Sequence, residues 1–524
     1  MNNLTTTIPR LCRLPRLPQV CVAVAAAEIA EMLERAEGLV GENPFLEFRL
    51  DALRQPEQLL ERIGPFRQAH PEAVLLGTCR RVACGGHFAG SSGSELEILG
   101  KAAESGFQLV DLELESAQER DPAEVAGLRS RAGLVLSYHD FQRTPALQEV
   151  FAAMRAVEAD YYKLATTATC LYDSVAMLRF LPQASRDHAV AGMCMGEQGI
   201  VSRVLGVRAG GAFTFASPGT GQETAPGQVD AQTLRERYRI GQLNPATRIY
   251  GVAGNPVAQS LSPRTMNAAF RRENVNAIYL PLPVSELDDL LACVRDLPLA
   301  GLSVTMPLKQ QIVKHLDSAD PLTRKTGACN TVVRTEDGRL CGFNTDVAGV
   351  VAPLEQRLPL AGAQVLVIGA GGAARAAVYG LKDRGAAVYI VNRTPAVGRR
   401  LALEAEAVYL DREEIRTRSF DVIVNATPVG MGGTGSPLEE QEIRARFVLD
   451  MVYSVQETPL AQAARHAGAE VVSGAEMFVR QGARQFEIWT GRPAPIQEMF
   501  EVVSAELATR AGRAAQPAEA LPKA

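Results

Sequence analysis

The chain has 524 residues, more than one hydrophobic core usually supports, so we expect two or three domains. Its composition, 47% hydrophobic and 22% charged residues, is that of an ordinary globular protein. A net charge of −5 argues against a general surface for nucleic acid or for an anionic membrane. Any binding of small anions must therefore depend on local arginines.

The cysteines are scattered along the chain without a CxxC pair, which argues against a disulfide framework or a zinc site. The nine stand at positions 12, 21, 79, 84, 170, 194, 293, 329 and 341. We therefore expect a reducing, cytoplasmic environment. No segment approaches the roughly 20 apolar residues needed to span a bilayer, so no membrane segment is predicted. Residues 1–14 are predicted to form an N-terminal arm and residues 506–524 a C-terminal tail.

Apolar, β-rich segments recur through the first half, separated by segments compatible with helices. Eight such segments cover residues 20–26, 45–51, 73–80, 107–114, 133–140, 160–166, 188–196 and 212–216. Eight strands that alternate with helices predict a (β/α)8 TIM barrel over residues 15–240, with its active site at the C-terminal ends of the strands. Polar residues stand in or near those ends, namely Glu47, Arg49, Arg80, Asp111, Glu113, His139 and Lys163. The competing interpretation is that these residues form salt bridges that seal the barrel.

Lys163 is notable because only seven of the 54 basic residues are lysines. Arginine stays charged, whereas a desolvated lysine can lose its proton and attack a carbonyl carbon. A barrel would place His139 on the fifth strand beside Lys163 on the sixth, which suits imine formation followed by proton transfer at the adjacent carbon. We expect burial beside cationic groups to favour the neutral amine. The alternative is a snorkelling lysine with a buried stem and a solvated ammonium group.

A different pattern begins after residues 238–248, which are predicted to be a linker. Residues 364–394 have the order strand, glycine loop, helix, strand, with GAGGAA between the first strand and an alanine-rich helix. This context fits a dinucleotide pyrophosphate over a helix N-terminus, and a plain tight turn is the alternative. The second strand ends in NRT, without an acidic residue for a ribose 2′-hydroxyl, and Arg393 suits a 2′-phosphate. The predicted cofactor is therefore NADP.

The first half resembles the type I 3-dehydroquinate dehydratases through FLEFRLD, SYHDF, YYKLATTA, VSRVLG and TAPGQ, in that order. The resemblance implies that Lys163 forms an imine with the substrate ketone and that His139 removes the neighbouring proton. It also implies that substrate is held by Glu47, Arg49, Arg80, Arg203, Thr224 and Gln228, with Arg203 as the carboxylate clamp. Thr224 stands where the family more often has serine, and Cys84 stands where it has glutamate.

The second half resembles the shikimate dehydrogenases through GNPVAQSLSP, SVTMPLKQ, TGACNTV, GFNTDVAG, GAGGAAR, NATPVGM, DMVY and MFVRQGARQFEIWTG. This resemblance implies an α/β substrate domain over residues 246–345, completed by helices in 475–505, and a Rossmann domain over residues 346–474. It implies that Lys309 and Asp346 handle the proton on the carbonyl oxygen during hydride transfer. Substrate would be bound by Ser260, Ser262, Thr305, Asn330 and Gln481.

For the cofactor, the same resemblance implies binding by Gly369, Ala370, Gly371, Gly372, Ala373, Asn392, Arg393, Thr394 and Thr427. The family's second basic residue, four positions after Arg393, falls on Val397. Only Arg399 or Arg400 could substitute for it, so we expect a moderate preference for NADP over NAD.

Together the two resemblances imply a bifunctional enzyme of the shikimate pathway. It would dehydrate 3-dehydroquinate to 3-dehydroshikimate and reduce that product to shikimate with NADPH, and neither step needs a metal. Its partners would be these small molecules, with no nucleic acid and no membrane, and its oligomeric state is left open. One alternative is a catabolic fusion that oxidises quinate or shikimate. Another is a pathway sensor, against which the retained Lys163, His139, Lys309 and Asp346 argue.

Overall fold

The computed structural model describes residues 17–431, 433–453 and 456–515. It divides into two compact units, one ending at Thr247 and the other beginning at Arg248, although the short segments Leu282–Val284 and Asp288–Leu297 group with the first unit. The predicted N-terminal arm and residues 516–524 of the predicted tail lie outside the described residues. Within the described ranges, no helix has both the length and the apolar character needed to cross a membrane.

The first unit is a barrel of eight parallel strands, which confirms the predicted (β/α)8 fold. Its strands are β1 (Val20–Val24), β2 (Phe45–Arg49), β3 (Val74–Thr78), β4 (Leu109–Glu113), β5 (Gly133–His139), β6 (Tyr161–Thr167), β7 (Val190–Met195) and β8 (Thr214–Ser217), and a short β9 (Val229–Asp230) pairs with β8. Its helices are α1 (Ile29–Val40), α2 (Pro56–Ala69), α3 (Ser92–Glu104), α4 (Leu114–Gln118), α5 (Pro122–Arg131), α6 (Leu147–Met154), α7 (Leu171–Ala184) and α8 (Ile200–Leu205). The barrel closes because β1 pairs with both β2 and β8. In addition, Ala212 N–H, two residues before β8, donates to Val190 O of β7 at 2.8 Å.

Residues two apart on a strand point to the same side, and this spacing builds the interior of the barrel in layers. The lowest layer is apolar and includes Phe45, Leu76, Leu109, Val135 and Tyr161. Two residues further along the same strands stand Glu47, Thr78, Asp111, Ser137 and Lys163, and two further again stand Arg49, Arg80, Glu113, His139 and Ala165. The register supports this layering, since Ser137 lies opposite Lys163 and Thr78 lies opposite Asp111. The sequence thus places an apolar core under a polar C-terminal mouth.

The predicted linker is partly folded. Tyr238 and Ile240 are buried, and Ile240–Gln242 forms a 3-10 turn before the next strand begins at Arg248. Apolar residues in this segment explain the difference, because exposing them to water would cost free energy.

The second unit contains two sheets, the first of which is mixed. Its spatial order is β11, β10, β12, β14, β15, β13, and β14 runs antiparallel to both of its neighbours. The strands are β10 (Arg248–Gly254), β11 (Ala277–Pro283), β12 (Leu299–Val304), β13 (Ser318–Ala319), β14 (Thr331–Arg334) and β15 (Leu340–Phe343). The helices of this segment are α9 (Ser262–Arg272), α10 (Leu287–Asp296) and α11 (Pro321–Thr326).

The second sheet is entirely parallel and has the order β18, β17, β16, β19, β20, β21, as predicted for a Rossmann fold. The strands are β16 (Gln364–Ile368), β17 (Ala387–Val391), β18 (Val408–Tyr409), β19 (Phe420–Asn425), β20 (Ala445–Asp450) and β21 (Glu470–Val472). The helices are α12 (Asp346–Glu355), α13 (Gly372–Lys382), α14 (Pro395–Glu404), α15 (Arg412–Ile415) and α16 (Pro459–His466). The strand order reverses between β16 and β19, and ligands of such sheets bind at the carboxyl ends of the strands at this reversal.

Two C-terminal helices, α17 (Gly474–Thr490) and α18 (Ile496–Ala515), follow the parallel sheet. In α17, Phe486 packs against Phe270 of α9, and the Trp489 indole donates to Val332 O at 3.1 Å in the mixed sheet. These contacts support the predicted division into a substrate domain and a Rossmann domain, which stays a prediction. Helix α18 continues past residue 505, so residues 506–515 are helical rather than part of a tail.

Candidate active sites

Lys163 is buried inside the barrel, and its ammonium group is paired with carboxylates. Its Nζ donates to Asp111 Oδ2 at 2.9 Å and lies 3.8 Å from Glu47 Oε1. The ring of Phe215 lies 4.1 Å from the same nitrogen, within the range of a cation–π contact. Only 5% of the Lys163 side chain is exposed, so the snorkelling interpretation is wrong. The expectation that Lys163 is buried beside cationic groups is also wrong, because the direct partners of the amine are carboxylates.

Asp111 is the residue that fixes Lys163; the sequence placed it among the polar residues at the strand ends, but no role was assigned to it. Its Oδ1 accepts hydrogen bonds from Ser137 Oγ at 2.6 Å and from Arg80 Nη2 at 3.2 Å. Burial alone would raise the pKa of Asp111, but Lys163 and Arg80 outweigh burial and hold this pKa below its usual value. The carboxylate is therefore ionised at neutral pH. The available signal was its position two residues before Glu113 on the same buried strand, which puts both side chains on the same side of that strand.

Arg80 connects Asp111 with two further groups. Its Nε lies 2.8 Å from Glu113 Oε1, and its Nη1 lies 2.7 Å from His139 Nε2. Because a guanidinium group can only donate, His139 Nε2 must accept, and the imidazole proton is assigned to Nδ1. Arg80 therefore determines the tautomer of the histidine.

His139 is held in its neutral form by its surroundings. Burial is the largest cause that lowers its pKa well below the usual value, followed by the positive charges of Arg80, Lys163 and Arg49. A neutral imidazole can act as a proton acceptor at neutral pH through Nε2, once Arg80 no longer donates to that nitrogen. The structure thus brings the predicted nucleophile and the predicted base to neighbouring strands.

Glu47 and Arg49 lie on β2 with different partners. Glu47 Oε1 accepts a hydrogen bond from Thr78 Oγ1 at 2.8 Å. Arg49 forms a two-pronged ion pair with Asp51, at 2.9 and 2.8 Å, and Asp51 also accepts the His87 N–H at 3.2 Å. Sequence reasoning assigned no role to Asp51 or Thr78, although FLEFRLD contains the former.

Arg203, Thr224 and Gln228 form a second group of predicted residues. Arg203 is buried on α8, where its Nη2 donates to Pro226 O at 3.3 Å, and no carboxylate of the described residues pairs with it. Burial lowers the pKa of Arg203 to about 10. The N–H and Oγ1 of Thr224 both donate to Gln228 Oε1, at 2.8 and 3.2 Å. A buried guanidinium without a counter-charge favours an anionic ligand.

Cys84 follows β3 on a loop that packs next to Glu113. Burial, and then the carboxylate of Glu113, raise the pKa of the thiol to about 12, so the thiol is neutral. A Cβ added to Gly85 would lie 2.4 Å from the ring of Phe141, which stacks on His139 with ring centres 6.0 Å apart. The loop therefore packs closely against Phe141, the ring that stacks on the predicted base.

Lys309 and Asp346 meet in the second unit, as the sequence predicted. Lys309 Nζ donates to Asp346 Oδ2 at 2.6 Å. The other carboxylate oxygen accepts from Asn330 Nδ2 at 2.7 Å, and Thr345 N–H donates to Asn330 Oδ1 at 2.8 Å. The lysine side chain is 24% exposed, so it can reach a bound molecule while its carboxylate partner stays fixed.

The other predicted substrate residues of this unit lie on three different segments, namely α17, the start of α9 and the end of β12. Gln481 Oε1 lies 3.5 Å from Asn330 Nδ2, so these two side chains are close together. Ser262 begins α9, and its N–H donates to Ser260 Oγ at 3.2 Å. Thr305 follows β12, and its N–H donates to a backbone oxygen of β10 at 2.9 Å.

A buried chain of polar side chains supports Asn330, and sequence reasoning missed it. Tyr279 OH donates to Ser303 Oγ at 2.5 Å, and Ser303 Oγ donates to Gln485 Oε1 at 2.8 Å. Gln485 Nε2 then donates to Asn330 O at 3.1 Å. Gln485 stands one helical turn after Gln481, which was the available signal because side chains four apart share a helix face.

The glycine loop after β16 has the shape needed to approach a phosphate. Gly369 has φ +114°, and a Cβ there would lie 3.1 Å from both Ala426 O and Thr427 Cγ2. Gly371 precedes α13 without capping it, and nothing lies within 4 Å of a Cβ added at Gly371. Ala370 lies between β16 and α13, and Gly372 and Ala373 are the first two residues of α13. The helix therefore offers N–H donors to an anion.

The turn Asn392–Thr394 follows β17. The Asn392 side chain donates to Thr394 O at 2.9 Å, which fixes the turn, and Arg393 is exposed. Among the described residues, no carboxylate pairs with Arg393. Arg399 and Arg400, the suggested substitutes, are each paired with a carboxylate, at 3.4 and 2.8 Å.

Four family models match successive parts of the chain. The family described as type I 3-dehydroquinase matches residues 20–245. The shikimate dehydrogenase substrate binding domain matches residues 252–332, the shikimate/quinate 5-dehydrogenase family matches residues 353–430, and the shikimate 5′-dehydrogenase C-terminal domain matches residues 474–503. The matches follow one another in the order of the two units.

The chain is similar to several named proteins. The chloroplastic bifunctional 3-dehydroquinate dehydratase/shikimate dehydrogenase of Arabidopsis thaliana is 34% identical over 483 residues, which cover 88% of this chain and 79% of that protein. The NADP(+) shikimate dehydrogenase of Anaeromyxobacter dehalogenans is 40% identical over 50% of this chain and 98% of that protein. A solved Thermus thermophilus shikimate 5-dehydrogenase, in complex with NADP(H) and shikimate, is 33% identical over 49% of this chain and 99% of that chain, with a TM-score of 0.47. Because the Arabidopsis relative is similar along both halves, the chain belongs to the family of bifunctional 3-dehydroquinate dehydratase/shikimate dehydrogenases.

Proposed function

We propose that the chain converts 3-dehydroquinate to shikimate in two steps, as its family membership indicates. The barrel dehydrates 3-dehydroquinate to 3-dehydroshikimate, and the second unit reduces this product with NADPH. The observation that carries the first step is the burial of Lys163 against Asp111, one strand from the neutral imidazole of His139. A lysine amine is cationic when paired with a carboxylate and becomes nucleophilic when it loses its proton.

Dehydration proceeds through an imine between Lys163 and the substrate ketone. The neutral amine forms a bond to the carbonyl carbon, and the carbonyl oxygen leaves as water. The C=N bond acidifies the neighbouring C–H, whose proton passes to Nε2 of His139. The imidazolium returns that proton to the departing hydroxyl group, which leaves as water. Hydrolysis of the imine then releases the product and restores the lysine.

Arg203 binds the substrate carboxylate in this proposal. A buried guanidinium group without a protein counter-charge is unfavourable until an anion pairs with it. The adjoining Thr224 and Gln228 present hydroxyl and amide groups on the same loop. Glu47, Arg49 and Arg80 hold the hydroxyl groups from the opposite strands, and substrate must displace Arg80 from His139 Nε2 for that nitrogen to accept a proton.

In the second unit, Lys309 supplies the proton to the carbonyl oxygen of 3-dehydroshikimate, and Asp346 orients it. The ion pair at 2.6 Å fixes the ammonium group, and Asn330 fixes the carboxylate from its other side. Ser260, Ser262, Thr305, Asn330 and Gln481 form the substrate pocket. A positioned proton donor is what a ketone reduction needs from the protein.

The residues around the glycine loop fit NADP. The uncapped N-terminus of α13 and the open space at Gly371 suit a pyrophosphate, and the exposed Arg393 suits a 2′-phosphate. We assign Gly369–Ala373, Asn392–Thr394 and Thr427 to this cofactor. When bound, it supplies the hydride, while the protein residues bind it, orient it and move the proton.

The proposal includes a reducing compartment, the cytoplasm. All eight cysteines of the described residues are free thiols, which supports this choice. The Arabidopsis relative is described as chloroplastic, and that location is a property of the relative.

Purified protein supplied with 3-dehydroquinate and NADPH is expected to form shikimate and to consume one NADPH per shikimate. Lys163→Arg should lose this conversion because arginine cannot form the imine, yet it should still reduce added 3-dehydroshikimate. Lys101→Arg, an exposed lysine on α3, is the matched control and should convert normally. Formation of shikimate from 3-dehydroquinate by Lys163→Arg would contradict the proposed mechanism. Faster oxidation of quinate than of shikimate would favour the catabolic alternative.

Lys309→Arg is expected to lower kcat for 3-dehydroshikimate reduction by roughly 100-fold, because arginine keeps the ion pair but does not release a proton. The dehydratase activity of the same variant should not change, which would show that the protein is folded. Lys314→Arg, which alters an exposed lysine five positions later, should behave as wild type. A kcat within about threefold of wild type for Lys309→Arg would show that this lysine is not the proton donor.

Arg393→Ala is expected to raise KM for NADPH by roughly tenfold and to leave KM for NADH nearly unchanged, because only NADPH carries the 2′-phosphate. Initial rates with each cofactor at saturating 3-dehydroshikimate measure the difference. Arg400→Ala should change neither value, since Arg400 is paired with Glu404. Equal losses for both cofactors in Arg393→Ala would mean that this arginine has a structural role.

A further inference from the structure

Glu113 and His139 each hold a buried polar atom that lacks a hydrogen-bond partner among the residues the structure describes. Neither oxygen of Glu113 accepts a well-aligned hydrogen bond, and His139 Nδ1 has no partner. Glu113 Oε1 and His139 Nδ1 face one another at 3.7 Å. A charge-assisted hydrogen bond between these atoms would be about 2.8 Å long, so a movement of about 1 Å would satisfy both.

Arg80 determines that the imidazole proton is on Nδ1, the nitrogen that faces Glu113. Its guanidinium group donates towards Nε2 at 2.7 Å, which leaves the proton on Nδ1 and directs it towards Glu113. The same guanidinium group also holds Glu113, with Nε 2.8 Å from Oε1. The carboxylate and the imidazole are therefore oriented by one shared neighbour.

We propose that Glu113 is the positioning carboxylate of His139 in the dehydration step, which rests on the proposed function of the barrel. When Nε2 takes the substrate proton, the imidazole becomes a cation whose Nδ1–H points at Glu113. A hydrogen bond to the carboxylate stabilises this cation. The proton later leaves from Nε2 to the departing hydroxyl group, so Glu113 neither gains nor loses a proton during the cycle.

Cys84 does not fill this role. Its thiol neighbours Glu113 and stays neutral, because burial and this carboxylate raise its pKa to about 12. A neutral thiol cannot stabilise an imidazolium ion through charge. The departure from the family at position 84 is therefore compensated by a carboxylate on β4.

The charges around this pair determine the pH dependence of the reaction. Three cations act on His139, namely Arg80 just after β3, Lys163 on β6 and Arg49 at the end of β2. Glu113 is surrounded by Arg80, Cys84, Asp111 and Glu115. Burial is the main cause that raises the pKa of Glu113 to about 7. As the pH falls through this value, Glu113 takes up a proton and loses the charge that stabilises the imidazolium, so the dehydration rate should fall on the acid side.

Glu113→Gln tests the proposal because it keeps the shape of the side chain and removes its charge. We expect kcat for dehydration to fall by roughly 10- to 100-fold with little change in KM, and the acid limb near pH 7 to move to lower pH. Reduction of 3-dehydroshikimate and borohydride trapping of substrate on Lys163 should both persist, which shows that the fold and the imine are intact. Glu97→Gln, which changes an exposed glutamate on α3, is the matched control and should stay within about twofold of wild type.

Two variants at position 84 separate the roles of the thiol and the carboxylate. Cys84→Ala should lose less than about tenfold in kcat, because Glu113 still faces the histidine. Adding Cys84→Glu to Glu113→Gln should recover rate and restore the acid limb, since it returns a carboxylate to this side of the imidazole. The proposal is overturned if Glu113→Gln keeps both kcat and the acid limb of wild type, or if Cys84→Ala loses more than about 100-fold. Wild-type protein that fails to dehydrate 3-dehydroquinate would overturn the proposed function itself.

Discussion

The buried ion pair between Lys163 and Asp111 determines how the barrel site is built. An ammonium group removed from water is strongly unfavourable unless an opposite charge and further hydrogen bonds compensate it. Asp111 supplies the charge, and Ser137 and Arg80 hold Asp111 in place. Because Arg80 also reaches His139, the same contacts that compensate the buried lysine set the tautomer of the neighbouring imidazole. The proposed nucleophile and the proposed base are thus parts of one electrostatic network.

The second unit also pairs a lysine with a carboxylate, but the two lysines differ in exposure. Lys309 is 24% exposed, whereas Lys163 is 5% exposed. This difference agrees with the two proposed reactions. A lysine that becomes covalently attached to substrate must be desolvated to act as a nucleophile, whereas a lysine that donates a proton must recover it from solvent in each cycle. In a chain where only seven of the 54 basic residues are lysines, both proposed roles need an amine that can lose a proton.

Sequence patterns predicted most of the architecture because the patterns are local. The eight apolar segments fall on the eight barrel strands, and the glycine loop lies between β16 and α13, since alternation and glycine context depend only on neighbouring residues. The scarcity of lysine pointed to Lys163, and its position on the sixth strand pointed to His139 on the neighbouring fifth strand. The partners of these residues were harder to predict, because the Asp111 contact depends on strand register and the Gln485 contact joins residues far apart in the chain. The helical residues 506–515 were missed because a polar, alanine-rich end can form either a tail or a helix.

Covalent trapping of substrate on the barrel lysine tests most directly whether Lys163 is the nucleophile. Protein mixed with 3-dehydroquinate would be treated with sodium borohydride, digested and examined by mass spectrometry. The account predicts a stable adduct on the peptide that contains Lys163, with accompanying loss of dehydratase activity and retention of 3-dehydroshikimate reduction. The absence of an adduct during active turnover, or an adduct on a different lysine, would contradict the assignment of Lys163 as the nucleophile.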